Sequence, residues 1–271
     1  MSRRPLGLAA LTVLDCDPIE HITHAEDHGF DTMGLRLLPA TPGSTAYPLQ
    51  ESPQSLAEFQ RRLADSPVEV LDVEILRLTP EFQVRDALPI LETADALGAR
   101  AVLVAGNDAD PGRMADNYAR LAAACARHGL VAALEPMPWT QVRTVREARE
   151  VGQHADGDAA HGRSILLDAF HVFRSDSTLD EVRAIPAEWV HYAQLCDGPV
   201  PGPVTEQELI RQAREERWAP GSSEMDLRSF IGALPEDTPI SLEIPNEPQR
   251  QALGTGPWLE GLVRATRELL G

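Results

Sequence analysis

Short apolar, β-branched runs alternate with amphipathic helical stretches from one end of this chain to the other. Strands separated by helices pair in parallel, because a parallel partner is reached only through a crossover long enough to hold a helix. The runs are Leu6–Val13, Thr32–Leu37, Val68–Leu76, Ala101–Ala105, Val131–Leu134, Ser164–Leu167, Trp189–Leu195 and Ile240–Ile244. Several are apolar at consecutive positions, as expected for strands covered on both faces. Eight such units predict a closed (β/α)8 barrel, and the 271 residues are an ordinary length for one. No Gly/Ser-rich tract divides the chain, so a single domain over 1–271 is expected. The open doubly wound alternative calls for a Gly-x-Gly-x-x-Gly turn after the first strand, and that turn is absent.

Punctuation supports the helices. Asp17 precedes a helix over Pro18–His28 as an N-cap, and Ser55 with Glu58 reads as a capping box for Ser55–Leu63. Gly98 and Gly129 stop helices over Pro80–Leu97 and Arg113–His128. Further helices are expected over Thr144–His154, Leu179–Ile185, Glu206–Glu216, Asp226–Leu234 and Trp258–Leu270.

The net charge of −18 repels phosphate backbones and anionic membranes, so nucleic acid and lipid surfaces are poor partners. No apolar stretch is long enough to span a bilayer. The N-terminus, Met1-Ser2-Arg3-Arg4-Pro5, is basic but is followed too soon by Asp15 and Asp17 for a secretory signal. Three widely spaced cysteines, Cys16, Cys125 and Cys196, read as free thiols in a reducing compartment. A cytoplasmic protein is expected.

In an α/β barrel the chemistry lies at the C-terminal ends of the strands. Glu135 ends the fifth run, Asp168 the sixth, with His171 just after it. Gln194 and Asp197 lie at the end of the seventh, and Glu243 sits inside the apolar Leu242-Glu243-Ile244. Lone buried carboxylates are costly, and several converging on one point need a cation between them. Oxygen donors suit Mg²⁺ or Mn²⁺, and a nearby imidazole admits Co²⁺ or Zn²⁺. One divalent ion is therefore the expected cofactor. Glu74, Asn107 and Arg36 end or interrupt the third, fourth and second strands and could line a pocket, with Trp139 as an apolar wall. The Pro-rich loop Pro39–Pro53 is long enough for a lid, with an ordinary surface loop the preferred expectation. His21, His24 and His28 share one helix face and read as surface residues, and His191 should point away from Gln194.

The segments Leu134-Glu135-Pro136, Leu167-Asp168-Ala-Phe-His171, Ala193-Gln194-Leu-Cys-Asp197, Arg217-Trp-Ala-Pro220-Gly221-Ser-Ser-Glu224-Met-Asp226 and Ser241-Leu-Glu243-Ile resemble the xylose isomerase-like barrel superfamily. The resemblance implies Glu135, Asp168, Gln194 and Glu243 as metal ligands. It places His171 on metal-bound water or substrate, and Arg217 and Arg214 at substrate. It implies Glu135 and Glu243 as paired acid and base on a small, sugar-like keto substrate, acting through an enediolate. Most sugar isomerases and epimerases of the group carry His where this chain has Gln194, and Gln there resembles the 3-dehydroshikimate dehydratase branch. That branch follows its strand-five Glu with an Arg-His pair, whereas this chain has Pro136-Met-Pro-Trp139-Thr140-Gln141-Val142. An isomerase or epimerase of carbohydrate metabolism therefore ranks first and a dehydratase (lyase) second, with His171 as proton donor to a departing hydroxyl. A catalytically inactive binding barrel is the third reading. The resemblance also leaves room for a homo-oligomer.

Overall fold

The computed structural model describes residues 3–271, so Met1 and Ser2 of the basic N-terminus lie outside the described residues. Nine parallel strands form one sheet: β1 Leu6–Leu8, β2 Thr32–Arg36, β3 Glu69–Leu78, β4 Ala101–Gly106, β5 Val131–Glu135, β6 Arg163–Ile165, β7 Leu167–Asp168, β8 Ala193–Leu195 and β9 Ile240–Leu242. Their order is β6-β5-β4-β3-β2-β1-β9-β8-β7. The two ends of this ladder, β6 and β7, are separated in sequence by Leu166 alone. They are the halves of the sixth expected strand, so the sheet curls round on itself into a nearly closed barrel with helices outside.

Period-two alternation sorts the side chains into two layers. On β4, Ala101, Leu103 and Ala105 join an inner cluster, while Val102 and Val104 join the larger outer one beneath the helices. On β5, Val131 and Ala133 are inner, so Glu135 lies on the inner face one step further along. Leu166 and Tyr192 are inner as well, which puts Asp168 and Gln194 on that face. Ile240, Leu242 and Ile244 are outer, so Ser241 and Glu243 face in. The register of each strand thus carries its terminal polar residue into the barrel mouth. Deeper in the barrel, Tyr192 Oη donates to Asp72 Oδ2 at 3.0 Å. Burial pushes the Asp72 carboxyl well up, and Glu74 pushes the same way.

The boundaries differ from expectation where polar atoms decide them. The first strand stops at Leu8, and Ala10–Val13 forms a 3-10 turn whose Thr12 Oγ1 donates to Leu242 O at 2.7 Å. The cap of the second helix is Ser52 rather than Ser55: the helix spans Pro53–Ala64 and Ser52 Oγ accepts from Ser55 N. The Pro80–Leu97 stretch becomes helical only at Val84, and the Trp189–Leu195 run pairs only from Ala193. Short helices at Ala169–Phe173 and Glu247–Leu253 had no expectation. Asp17 caps Pro18–Asp27 through Ile19 N and Glu20 N. All three cysteines are free thiols.

His21 corrects the surface reading of its helix face. It is buried beside Ile22 and Ala25, and its Nε2 lies 3.2 Å from Leu8 O at the end of β1. His24 and His28 stay partly exposed, with ring centroids 6.2 Å apart. Burial drives the His21 imidazole down to about 4. A depressed histidine contributes stability that is present above about pH 6.5 and lost as pH falls toward its folded value. By pH 5 this one group should cost ~2 kcal/mol. Thermal melts at pH 7 and pH 5 check it: the fall in Tm should be clearly smaller in His21→Gln than in wild type. An equal fall would remove His21 as a source of acid sensitivity.

Candidate active site

Four inner-face side chains, Glu135, Asp168, Gln194 and Glu243, meet His171 at the barrel mouth, and all five are buried. Asp168 serves two purposes. Its Oδ1 caps the Ala169–Phe173 helix by accepting from Phe170 N at 2.6 Å, which leaves Oδ2 for the mouth. That first helical turn brings His171 round, with Nε2 3.9 Å from Asp168 Oδ2 and 3.4 Å from Glu135 Oε1. Trp139 packs edge-on against the His171 ring at 5.0 Å, and Phe170 makes a second edge contact at 5.7 Å.

Arg217 is the buried cation of the site. Its Nη1 lies 2.5 Å from Asp168 Oδ2, its Nη2 2.8 Å from Glu243 Oε2, and its Nε donates to Ala213 O. The backbone that carries it is pinned by Asp197, which exchanges backbone hydrogen bonds with Trp218 and accepts from Ser223 N at 3.0 Å. Asp197 is therefore an anchor for the Arg217 segment. Gln194 Nε2 donates to Glu243 Oε1 at 3.2 Å.

The electrostatics follow from this geometry. Burial works to raise the Asp168 carboxyl, but Arg217 and His171 outweigh it and hold it below the usual carboxylate range. At Glu135 the balance runs the other way: burial, then Glu243 and Asp168, push it well up against the weaker pull of Arg217. Burial also lifts Glu243, to about 7, against the opposing pull of Arg217. Burial drives His171 down to about 4, so the imidazole is neutral, the form that ligates metals.

Several atoms here ask for a further partner. Glu135 Oε1 and Gln194 Oε1 are buried without a hydrogen bond, and so is His171 Nδ1. Buried polar atoms are rarely left so. Glu135, Asp168 and His171 offer donor atoms that all lie within 4.8 Å of one another. Ligands held about 2.0–2.2 Å from a shared ion sit no more than about 4.4 Å apart. A divalent ion fits this group with little adjustment. Glu243 and Gln194 stand beside it, engaged with Arg217 and with each other.

Above the mouth lies a cavity of about 370 Å³. Glu74, Trp139, Arg214 and Arg217 line it, as do Glu135, His171 and Glu243. Arg36 also lines it, held to Glu74 by an ion pair of 2.6 Å. Asn107 is not part of the lining; its Oδ1 accepts from Arg77 Nη1 at 3.1 Å. Arg77 is a lining residue that the sequence reading missed. It stands past Leu76, where the apolar run ends, although β3 continues to Leu78. The Pro39–Pro53 loop forms one wall through Thr41, Ser44 and Thr45. His191 faces away, with Nδ1 3.0 Å from Ser164 Oγ.

A family model described as "xylose isomerase-like TIM barrel" matches residues 22–267. The chain belongs to that family. A search of curated proteins returns no match. Among solved structures, the chain superposes on the IOLI protein with a bound zinc atom at TM-score 0.74 and 17% identity, covering 98% of each chain. It is similar to D-psicose 3-epimerase with D-tagatose from Clostridium cellulolyticum H10 (TM-score 0.74, 13% identity, 98% of this chain and 99% of that one). It is also similar to the probable 3-DHS dehydratase AsbF from Bacillus anthracis (TM-score 0.72, 14% identity, 97% and 98%). A xylose isomerase-like TIM barrel/4-hydroxyphenylpyruvate dioxygenase fusion protein matches at TM-score 0.78 and 20% identity, and there the chain spans 42% of the partner's length. At these identities the likeness is one of fold. Among the described residues no helix is long and apolar enough to cross a membrane.

Proposed function

We propose that this barrel, acting as one domain, is a divalent-metal-dependent isomerase or epimerase of a small polyhydroxylated keto substrate. The observation that carries the reading is the convergence of Glu135, Asp168 and His171 on one point beneath a substrate-sized cavity, with Glu243 alongside. Glu135, Asp168 and His171 would hold the ion, their oxygen donors suiting Mn²⁺ or Mg²⁺ and the imidazole admitting Co²⁺ or Zn²⁺, and Glu243 and Gln194 would complete the set. When bound there, such an ion supplies Lewis-acid polarisation of a substrate carbonyl.

The chain's own residues do the rest. Glu135 and Glu243 come from β5 and from just past β9, so they approach a substrate in the cavity from different sides. One carboxylate removes the proton next to the carbonyl and the other returns a proton to the enediolate. A positioned carboxyl contributes on the order of 10²–10⁴ in rate. Arg217 keeps Glu243 and Asp168 fixed through its two Nη atoms, which preserves the geometry between turnovers. Trp139 and the Thr41–Thr45 wall exclude water.

Gln194 favours a second reading, a dehydratase in which the same enediolate expels a β-hydroxyl and His171 guides the departing oxygen. Incubation with Mn²⁺ and a panel of ketoses and hydroxy-ketones in D₂O, followed by NMR, separates the two. Deuterium at the carbon next to the carbonyl, with an epimer or aldose appearing, is the expected result. Loss of water would favour the dehydratase. Neither exchange nor dehydration across the panel, with metal bound, would contradict both and favour a binding barrel.

A further inference from the structure

The cations lining the cavity are not all spoken for. Arg36 is neutralised by Glu74, and Arg217 by Asp168 and Glu243. Arg77 and Arg214 line the same cavity, and among the described residues neither forms an ion pair within 4.0 Å. Arg77 is nonetheless fixed in place. Its Nε and Nη2 donate to Ala40 O at 3.2 and 2.8 Å, and its Nη1 donates to Asn107 Oδ1. Both acceptors are neutral, so they aim the guanidinium without cancelling its charge. The Arg214 side chain has no hydrogen-bond partner among the described residues and lies three positions before Arg217. Burial lowers Arg77, and Arg214 and Arg36 lower it further, so these cations stand close enough to repel one another. The opposing charges are Glu135 for Arg77 and Glu215 for Arg214, and neither makes a contact.

Two half-buried guanidinium groups facing one cavity cost desolvation and mutual repulsion. In a chain of net charge −18, carboxylates to neutralise them were plentiful, yet none is placed there. Guanidinium forks match the oxygens of carboxylate and phosphate. We infer that Arg77 and Arg214 form a subsite for an anionic group of the substrate, a carboxylate or a phosphate, in the same cavity as the candidate metal ligands. The inference rests on the cavity being the substrate site, and it narrows the substrate from a neutral sugar to a sugar acid or sugar phosphate. It also supplies, from β3 and from the Glu206–Glu215 helix, the anion grip that the segment after Glu135 lacks.

The test is calorimetric titration of the full chain with D-gluconate, D-glucose 6-phosphate and D-glucose. At least one anion should bind tenfold or more tightly than glucose, with the advantage shrinking as salt is raised. Tighter gluconate binding identifies a carboxylate subsite and tighter glucose 6-phosphate binding a phosphate subsite. Arg214→Gln should remove at least tenfold of that affinity without lowering the thermal midpoint. Arg77→Gln should act in the same direction, although it also frees the loop at Ala40. Equal affinity for glucose, no binding of either anion, or anion affinity untouched in Arg214→Gln would overturn the inference. Because no turnover is read, a failure of the isomerase reading leaves this result standing or falling by itself.

Discussion

Arg217→Met should destabilise the metal-free protein by roughly 3–5 kcal/mol, the usual cost of removing one partner from a buried ion pair. The reason is specific to the site. Arg217 alone spans Asp168 Oδ2 and Glu243 Oε2, and all three side chains are buried. Without it, two carboxylates face each other and Glu135 with only the neutral His171 between. Methionine fills similar space over the Phe170 ring, which the guanidinium now covers at 5.0 Å, so the loss reports charge rather than a cavity. Urea unfolding of both proteins measures it. A saturating divalent ion should recover part of the loss, since it offsets the same repulsion and binds only the folded state. A loss below about 1 kcal/mol would mean that the carboxylates take up protons in place of the cation.

Glu135→Gln should reduce the exchange rate of any substrate found in the D₂O screen by on the order of 10²–10⁴. The amide keeps the size and one oxygen donor but cannot accept or return a proton. Glu243→Gln should lose a comparable factor by removing the other member of the pair. The variants also differ in a way the contacts dictate. Glu243 Oε2 holds Arg217, so Glu243→Gln weakens that ion pair and should lower stability as well. Glu135 Oε1 accepts no hydrogen bond, and its carboxyl is pushed well up by burial, so Glu135→Gln should leave the melting temperature equal or higher. Rates within threefold of wild type in either variant would argue against a two-carboxylate mechanism.

Much of this site was legible because the barrel converts sequence alternation into direction. Val131, Ala133 and Glu135 share a face, and so do Ser241 and Glu243, so a polar residue ending an inner-face series has one place to go. Asp168 ends its run as a site carboxylate, and the structure adds a helix cap, with one oxygen for each. What escaped the sequence depended on contacts between distant segments. Ala10–Val13 is apolar and β-branched like a strand, yet it turns because Thr12 reaches Leu242 O. His21 has the spacing of a surface histidine and is buried by a carbonyl thirteen residues earlier. Arg77 lay beyond the apolar run that defined its strand, and only the continuation of β3 to Leu78 and the loop at Ala40 bring it into the cavity. The coupling of Arg217 to Asp168, forty-nine residues away, left no mark in local pattern.

The central claim is that the barrel mouth is a divalent-metal centre built on Glu135, Asp168 and His171. Its most direct test is the stoichiometry and affinity of Mn²⁺ binding to the purified chain, compared with Asp168→Asn and His171→Gln. The account predicts one equivalent of Mn²⁺ in wild type and at least a tenfold weaker affinity in each variant. No binding in wild type with excess Mn²⁺, or an affinity indifferent to both substitutions, would contradict it and leave Arg217 as the counter-charge in direct contact with the site carboxylates.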